Sequence, residues 1–310
     1  MDSPTLPTDM GSVPEIRSLV DAKERLGLHV SVCLPARDEA ATVGVIVGVL
    51  TGQLVEGPGL VDEVIVLDDG STDATGEVAQ EAGARVYPVE RVLADLPAGE
   101  GKGNALWKAL YVAEGDLVCF LDADVRNFSA HFVTRLLEPL LKDPGIGFVK
   151  GYYRRPLHGD PRGGGRVTEL LARPLLSALF PHLAGIRQPL GGEYAARREL
   201  LEVLPFVEGW GVELGLLVDV ADRFGVEAIA QRDLGVREHR NRPLDELAPQ
   251  AMAVLLTGLR RAGVAPVDAS SAPGPGAEVR SGLVAAPVRE RPPIITVPAY
   301  QAKFGRELSA

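Results

Sequence analysis

Short apolar runs alternate with stretches of helical periodicity along the first 125 residues of the chain. The runs within LHVSVCL, VDEVIVL, ARVYPV and DLVCFL have the length of buried strands, and polar loops follow three of them. One of the helical stretches between them places its apolar residues on a single face: Val43, Ile46, Val47 and Leu50. This alternation predicts an α/β fold with a mainly parallel sheet and helices on both faces.

The pattern is less regular in the second half. Helices are predicted over HFVTRLLEPLLKD, RVTELLARPLLSALF, GVELGLLVDVADRFG and LDELAPQAMAVLLTGLRRAG, and strands over IGFVKGYYRRP and VEAIAQRDLG. A short helix, PEIRSLVDAKERLG, is predicted near the start, and a segment rich in Pro, Ala and Gly near the end predicts an extended tail. The predicted organisation is an N-terminal arm (1–27), two halves (28–125 and 126–263) and a C-terminal tail (264–310).

Composition narrows the classes of function. The 310 residues are 46% hydrophobic and 24% charged, which is typical of a globular protein with a real core. The net charge of −10 argues against a general nucleic-acid binder, but a local arginine cluster could still bind a small anionic substrate. Cys33 and Cys119 lie in apolar runs and are predicted to be buried free thiols. There is no signal-peptide pattern and no uncharged apolar run of about 18 residues, so we expect a cytoplasmic protein without a membrane span.

Three polar loops, PARDEA, DDGSTD and DADVRN, follow predicted strands. Because the carboxyl ends of parallel strands meet at one edge of a sheet, we expect these loops to form a ligand site there. Asp122 and Asp124 follow a buried run, and buried carboxylates need water or a cation. Their oxygens suit Mg²⁺ or Mn²⁺, with substrate phosphates completing the coordination. The alternative is a solvated acidic turn, since a D-x-D triplet alone is a weak signal.

The motifs LPARDEAATV, VIVLDDGSTDAT, GKGNALW and FLDAD resemble, in order and spacing, the nucleotide-sugar-binding half of a GT-A glycosyltransferase. In the second half, FVKGYYRRPL, GGGRVTELLARPLL, QPLGGEYAARREL, GWGVELGLL and LGVREHRNRPLDEL resemble the retaining glucosyl-3-phosphoglycerate and mannosyl-3-phosphoglycerate synthases. The resemblance extends from about residue 28 to residue 262. It implies a Rossmann-like GT-A fold in which residues 28–125 bind the nucleotide sugar and residues 126–263 bind the acceptor.

The resemblance also implies a metal site and a donor site. Asp124 would hold a divalent cation that acts as a Lewis acid on the donor diphosphate. Asp122 would contact the ribose or the metal shell, and His239 of REHRNRP would be a further metal ligand; without the resemblance, this histidine would be interpreted as a surface residue. The donor-binding residues implied are Pro35, Ala36, Arg37, Glu39, Asp69, Lys102, Asp122, Leu190 and Glu213.

Three of these residues have alternatives in their local sequence. Lys102 lies between glycines at a helix start, where a lysine suits a nucleotide phosphate, although GKGNALW lacks the spacing of a P-loop and the side chain could simply be solvated. Glu213 begins an apolar helix, where a carboxylate is also common as compensation of the helix dipole. By resemblance, Glu213 binds donor-sugar hydroxyls and could orient the acceptor. Leu190 would contribute backbone contacts near the sugar.

Asp69 departs from the pattern of the resembling family. Glu39 and Asp69 are candidate ribose and base contacts, and the glucosyl enzymes commonly have serine at the position of Asp69. A carboxylate there can accept hydrogen bonds from uracil N–H, or from the N–H and NH₂ groups of guanine together. The departure predicts that guanine nucleotides are accepted, with GDP-mannose as a candidate donor.

The segment RGGGRVTELLARP predicts an anion site. Glycines leading into a helix expose backbone N–H groups, the helix dipole favours an anion, and arginine adds a fork of donors; the alternative is a plain flexible connection. By resemblance, Gly165, Arg166 and Thr168 hold the phosphate or carboxylate of 3-phosphoglycerate, with Asn241 and Arg242 of HRNRP as candidates to assist. The residues expected to carry catalysis are Asp124, Glu213 and Arg166.

The resulting prediction is a hexosyltransferase dependent on Mg²⁺ or Mn²⁺. It would move glucose or mannose from UDP-glucose, GDP-glucose or GDP-mannose to the 2-hydroxyl of 3-phosphoglycerate, a step in compatible-solute synthesis, and family members imply a homodimer. The alternatives are a GT-A transferase acting on a polyprenyl phosphate, a nucleotidyltransferase that releases pyrophosphate, and a nucleotide-sugar-binding regulator without turnover.

Overall fold

A mainly parallel sheet forms the centre of the molecule, seen in a computed structural model that describes residues 13–156, 163–238, 243–264 and 288–306. Its strands and those of a small second sheet are β1 (Val30–Ala36), β2 (Glu63–Asp68), β3 (Arg85–Pro88), β4 (Leu117–Phe120), β5 (Phe148–Arg154), β6 (Tyr194–Arg197), β7 (Phe206–Val207), β8 (Ile229–Val236) and β9 (Glu290–Arg291). The main sheet has the order β3-β2-β1-β4-β6-β5-β8, and β7 pairs with β9. The predicted sheet is therefore confirmed.

Strand β6 was not predicted from the sequence. It runs antiparallel to both of its neighbours, β4 and β5, whereas the other strand pairs of this sheet are parallel. Because β6 bonds to β4 on one side and β5 on the other, it joins the two predicted halves, and the sheet is continuous across residue 125. The residues before β6 consequently reach the carboxyl end of β4.

Helices cover both faces of the main sheet. They are α1 (Val13–Leu26), α2 (Val43–Leu50), α3 (Thr75–Glu81), α4 (Gly101–Val112), α5 (His131–Lys142), α6 (Arg173–Leu179), α7 (Arg198–Leu201), α8 (Val212–Phe224), α9 (Leu244–Arg261) and α10 (Pro298–Phe304). Successive residues of β1 enter different cores: Val32 and Leu34 pack on the side of α2 and α5, and Cys33 packs on the side of α4. Burial on both faces explains why these strands are continuous apolar runs.

The helix predicted over RVTELLARPLLSALF is irregular at its start. A π-helical segment, Thr168–Ala172, precedes α6. Such segments are uncommon and frequently occur at functional sites. Here the irregularity lies within the sequence that was predicted to bind the acceptor. A third hydrophobic core, between α6, α8 and α9, packs against this π-helical segment.

The C-terminal part of the chain returns to the fold. Strand β9 pairs antiparallel with β7, Trp107 Nε1 donates a hydrogen bond of 2.7 Å to the carbonyl oxygen of Pro292, and Tyr300 is fully buried. The prediction of an extended tail over 264–310 is therefore wrong for residues 288–306. The apolar side chains Ile294, Ile295 and Tyr300 bury enough surface to dock a segment whose proline content indicated an extended chain.

Two smaller predictions concern the cysteines and the membrane. Cys33 and Cys119 are buried as free thiols, as predicted, and burial raises the pKa of both. No helix in the described part of the chain has the length and apolar character needed to cross a bilayer.

Candidate active site

A cavity of about 550 Å³ opens beyond the carboxyl ends of β1 and β4. Every predicted site residue in the described part of the chain lines it: Pro35, Ala36, Arg37, Glu39, Asp69, Lys102, Asp122, Asp124, Gly165, Arg166, Thr168, Leu190 and Glu213. His239, Asn241 and Arg242 lie outside the described residues. Donor and acceptor motifs from distant parts of the chain thus meet in one space, as expected for the open edge of a parallel sheet.

Hydrogen bonds between two loops shape the end of the cavity that is predicted to bind the nucleotide. The backbone N–H of Thr72 donates to Asp38 Oδ1 at 2.7 Å, and the N–H of Asp38 donates to Ser71 Oγ at 3.1 Å. The N–H of Glu39 donates to Thr75 Oγ1 at 2.8 Å. The hydrogen bond from the Thr72 backbone lowers the pKa of Asp38, which has a φ of +55°. The loops after β1 and β2 are therefore fixed to each other.

Asp69 lies at this end of the cavity. Burial raises its pKa, and the positive charge of Arg37 opposes that shift. A half-buried carboxylate beside the loop after β1 can accept a hydrogen bond from a nucleotide base. Its position agrees with the predicted contact to a nucleotide base.

The carboxylates after β4 converge on a single arginine that was not predicted from the sequence. Arg237 Nη2 lies 2.7 Å from Asp122 Oδ2 and 2.7 Å from Asp124 Oδ1. Lys102 Nζ lies 2.5 Å from Asp122 Oδ1 and 2.6 Å from Glu213 Oε1. Burial would raise the pKa of Asp122, but Lys102 and Arg237 outweigh it and hold that pKa below its ordinary value.

The two carboxylates fit a divalent cation. Both turn one oxygen toward the same point, as their shared contact with Arg237 shows. Among the described residues there is no group of three or more His, Cys, Asp or Glu side chains that could hold a metal ion. A site of one or two carboxylates completed by substrate phosphates is the usual arrangement for Mg²⁺, and oxygen ligands also suit Mn²⁺. His239 stays a predicted third ligand.

Arg237 reaches the carboxylates because the loop after β4 is tied to the end of β8. The N–H of Arg126 donates to the carbonyl oxygen of Glu238 at 2.9 Å, and Asn127 Nδ2 donates to that of Val236 at 2.8 Å. Asn127 Oδ1 in turn accepts from the N–H of Glu238 at 2.9 Å. These contacts bring a charged residue that follows β8 to the end of β4, three strand positions away in the sheet.

The segment before β6 forms the wall behind Asp122. Leu190 lines the cavity, and Lys150 Nζ donates to the carbonyl oxygen of Gly191 at 2.5 Å. Lys150 is buried, and burial lowers its pKa to about 8. A Cβ atom on Gly192 would overlap the carboxyl group of Asp122, so any larger residue there must displace that group. The backbone is thus held close to the place predicted for the donor sugar.

The predicted acceptor segment lies at the opposite side of the cavity. Gly165 has a φ of +76°, which favours glycine, and Thr168 is buried at the start of the π-helical segment. Arg166 and Arg155 line the cavity beside them, and Arg155 Nη2 donates to Tyr153 Oη at 2.6 Å. Arginines near exposed backbone N–H groups are suited to a phosphate or carboxylate. This is the local basic cluster that a small anionic substrate requires.

Four charged residues near the cavity were not singled out from the sequence: Arg155, Arg237, Glu193 and Lys150. Each lies within a stretch that carries the resemblance, but the stretches do not say which side chains point inward. The one available signal was position, because Arg155 and Arg237 directly follow strands of a parallel sheet. Glu193 and Lys150 resemble ordinary surface charges in sequence, although both are buried.

Comparison with known proteins agrees with this geometry. The sequence model of glycosyl transferase family 2 matches residues 31–202. Glucosyl-3-phosphoglycerate synthase of Mycolicibacterium paratuberculosis is 53% identical over 247 residues, which cover 77% of this chain and 74% of that protein. The synthase of the same name from Petrotoga mobilis is 41% identical over 305 residues, which cover 94% of each protein.

Solved structures share the fold. A crystal structure of glucosyl-3-phosphoglycerate synthase from Mycobacterium tuberculosis, in complex with Mn²⁺, uridine-diphosphate-glucose and phosphoglyceric acid, is 48% identical, with a TM-score of 0.77 over 90% of this chain and 94% of that chain. A structure of the same enzyme with Mg²⁺ and uridine-diphosphate is 47% identical, with a TM-score of 0.78 over the same shares of the two chains. The fold is therefore of the GT-A type. This chain belongs to glycosyl transferase family 2 and, within it, to the glucosyl-3-phosphoglycerate synthases.

Proposed function

We propose that this glycosyltransferase moves glucose from UDP-glucose to the 2-hydroxyl of 3-phosphoglycerate, with Mn²⁺ or Mg²⁺ bound at Asp122 and Asp124. The observation that carries the proposal is the presence, in one cavity, of the carboxylate pair after β4 and of the segment Gly165, Arg166 and Thr168. The first is suited to a sugar diphosphate through a divalent cation, and the second to an anionic acceptor. The relatives support the identities of donor and acceptor.

In the proposed reaction, the bond between glucose C1 and the diphosphate oxygen breaks and a bond from C1 to O2 of 3-phosphoglycerate forms. The hydroxyl proton leaves with the departing phosphate, and the α-configuration is retained, as the resemblance predicts. A bound divalent cation would stabilise the charge that develops on the diphosphate. Lys102, at the first turn of α4, would place a further positive charge and helix N–H groups near that diphosphate.

The remaining roles follow from position. Glu213 is buried and held by Lys102, so its carboxylate is fixed where donor-sugar hydroxyls would lie. Leu190 would contribute backbone contacts to the same sugar. Arg166, with Thr168, would orient the acceptor so that its 2-hydroxyl faces C1, and fixed orientation of this kind can supply a large share of the rate enhancement. Asn241 and His239 keep their predicted roles in the acceptor and metal sites.

The test is a panel of UDP- and GDP-linked glucose and mannose, each incubated with 3-phosphoglycerate and Mn²⁺. We expect UDP and glucosyl-3-phosphoglycerate, identified by mass spectrometry, from UDP-glucose, and at least about a hundredfold lower kcat for Asp124→Asn. Parallel reactions offer a polyprenyl phosphate as acceptor, or UTP with glucose 1-phosphate as substrates. Transfer to the polyprenyl phosphate but not to 3-phosphoglycerate, release of pyrophosphate from UTP without transfer to 3-phosphoglycerate, or nucleotide binding without turnover would each refute the proposal in favour of one of the alternatives.

Asp69 is the one residue that favours a second class of donor, the GDP-linked sugars. We keep GDP-linked sugars as candidates because a carboxylate at the nucleotide end of the cavity can pair with guanine. In the same panel, Asp69→Ser should then lose activity with GDP-sugars and keep it with UDP-glucose. An unchanged base preference in this variant would remove the idea. A homodimer, measured by light scattering after gel filtration, is likewise still a prediction.

A further inference from the structure

Beneath the carboxylate pair lies a buried ion pair. Glu193 is 0% exposed and the Arg237 side chain is 2% exposed. Arg237 Nε lies 2.8 Å from Glu193 Oε1, while Nη2 of the same guanidinium contacts Asp122 and Asp124. The Tyr153 ring lies 5.4 Å from the guanidinium carbon. Arg237 is thus enclosed between Glu193, Tyr153 and the two carboxylates.

This arrangement is costly for a fold to keep. Burying a charged pair removes both ions from water, and the attraction between them often fails to compensate. The contact between Arg237 Nε and Glu193 Oε1, at 2.8 Å, is not well aligned for a hydrogen bond, so the guanidinium compensates the buried carboxylate mainly by its charge. Well-packed apolar side chains would serve the core at least as well. A role in the adjacent site therefore explains the pair better than stability does.

The charges at the carboxylates indicate what that role is. Asp122 and Asp124 are the two negative groups on which the cation is expected to bind, and the fixed positive groups of Lys102 and Arg237 already lie within 2.7 Å of them. A divalent ion approaching this pair meets the positive charges of Lys102 and Arg237 in direct contact with the carboxylates that would bind it, while Glu213 and Glu193 pair with these cations from their other sides. Water reaches Asp122 and Asp124, whose side chains are 22% and 24% exposed, so the repulsion is screened but still acts at contact distance. The diphosphate of a nucleotide would add negative charge beside the same cations.

We propose that Arg237, anchored by Glu193, is a resident cation that weakens binding of a free divalent ion and so makes metal binding depend on the nucleotide diphosphate. This inference rests on the proposed function and concerns its regulation. It assigns Arg237 and Glu193 as positioning residues, since they act through Asp122 and Asp124. The consequence is that the enzyme would take up metal together with its donor rather than ahead of it.

The experiment measures Mn²⁺ binding by electron paramagnetic resonance, with and without UDP, in wild type and variants. Removing both buried charges with Arg237→Gln/Glu193→Gln should tighten Mn²⁺ binding without UDP by about tenfold and reduce the enhancement that UDP produces. Glu193→Gln alone leaves the guanidinium uncompensated and should weaken Mn²⁺ binding without UDP. Arg237→Lys keeps a positive charge and should retain most of the dependence on UDP.

The opposite changes in Mn²⁺ affinity expected for the double variant and for Glu193→Gln distinguish an effect of charge from an effect of shape. If Arg237 and Glu193 only hold the carboxylates in place, both the single and the double variant will bind Mn²⁺ more weakly, and the inference is overturned. The matched control is Lys142→Gln/Glu138→Gln, which removes an ion pair on the outer side of α5, together with a 3.6 Å contact from Arg232 to Glu138, and should leave Mn²⁺ binding unchanged. Circular dichroism checks that each variant is folded. If the double variant is not, Arg237→Lys decides the case: a retained charge should leave Mn²⁺ binding and its dependence on UDP near those of wild type, whereas a role in shape alone should weaken Mn²⁺ binding both with and without UDP.

Failure of the proposed function would look different. If wild type binds no Mn²⁺ even with UDP and makes no product from UDP-glucose, the proposed function itself fails. If wild type binds Mn²⁺ with UDP and turns over, while the double variant without UDP binds Mn²⁺ no more tightly than wild type, only this inference fails.

Discussion

Gly192 lies directly behind the carboxyl group of Asp122, and replacing it with alanine tests how that group is held. A Cβ atom at this position would lie well under 3.0 Å from three atoms of the carboxyl group. Asp122 is held in place by Lys102 at 2.5 Å and Arg237 at 2.7 Å. The added methyl group must therefore push the carboxylate away from at least one of its two cations, which also moves it out of line with Asp124.

The size of the effect follows from the hydrogen bond that the displaced carboxylate no longer makes. A hydrogen bond to a charged group contributes roughly 1.5–3 kcal/mol, so its removal costs about 2 kcal/mol, or about a thirtyfold fall in kcat/KM when the geometry is needed in the transition state. Inserting a methyl group into a filled space also destabilises the fold by about 1–3 kcal/mol. The melting temperature should then fall by about 2–4 °C for each kcal/mol.

The assay is UDP release from UDP-glucose and 3-phosphoglycerate at saturating Mn²⁺, together with thermal unfolding. Gly185→Ala is the matched control, because a Cβ atom on Gly185 would meet nothing within 4 Å, and both measurements should be unchanged. If Gly192→Ala keeps kcat/KM within about twofold of wild type, the reasoning is refuted, since Asp122 would then tolerate displacement without loss of transition-state stabilisation.

Three further predictions concern the core and the loops. The buried Lys150 has a pKa of about 8 in the folded protein, below its ordinary value, so the unfolded chain binds this proton more strongly than the folded protein does. The free energy of unfolding of wild type, relative to that of Lys150→Met, should therefore rise by about 3 kcal/mol between pH 8 and pH 10.5, as measured by urea titration. Tyr300→Phe removes a buried hydrogen bond of 2.8 Å to Glu202 Oε2 and should lower the free energy of unfolding by about 1–3 kcal/mol, whereas an unchanged urea midpoint would show that the docked tail contributes little. Asp38→Ala removes the acceptor that holds Thr72 and should raise the KM for UDP-glucose with little change in kcat. Asp38→Asn should raise this KM less, because asparagine tolerates the positive φ. An equal KM for UDP-glucose in the two variants would contradict this prediction.

The strands of the first half were predictable because each is an apolar run followed by a polar loop. Since these strands are buried on both faces, successive side chains are all apolar and the run is continuous. Strand β6 was not, since it has four residues, two of them alanine, and becomes a strand only through its pairing with β4 and β5. Strand β9 poses the same problem: Glu290 and Arg291 have no strand pattern of their own and pair with residues more than 80 positions earlier in the chain.

The candidate site was predictable to the extent that its residues follow strands or open helices. The positions of Asp122, Lys102 and Arg166 in one cavity agree with what their motifs indicated. Arg237 was missed because its contact with Asp122 spans 115 positions and depends on how the loop after β4 is tied to the end of β8. The sequence LGVREHRNRP contains no pattern that marks Arg237 as the arginine whose side chain points into the site.

The docking of residues 288–306 has a consequence for the order of events during synthesis. Helix α4, which carries Lys102, is covered by this segment: Trp107 donates to Pro292, and Arg291 Nε donates to Asn104 Oδ1 at 2.9 Å. A nascent chain emerges N-terminus first, so the sheet can assemble while this flank of α4 is still bare. The ribosome must therefore synthesise the chain as far as residue 300 before the helix that presents Lys102 to the cavity acquires its final support.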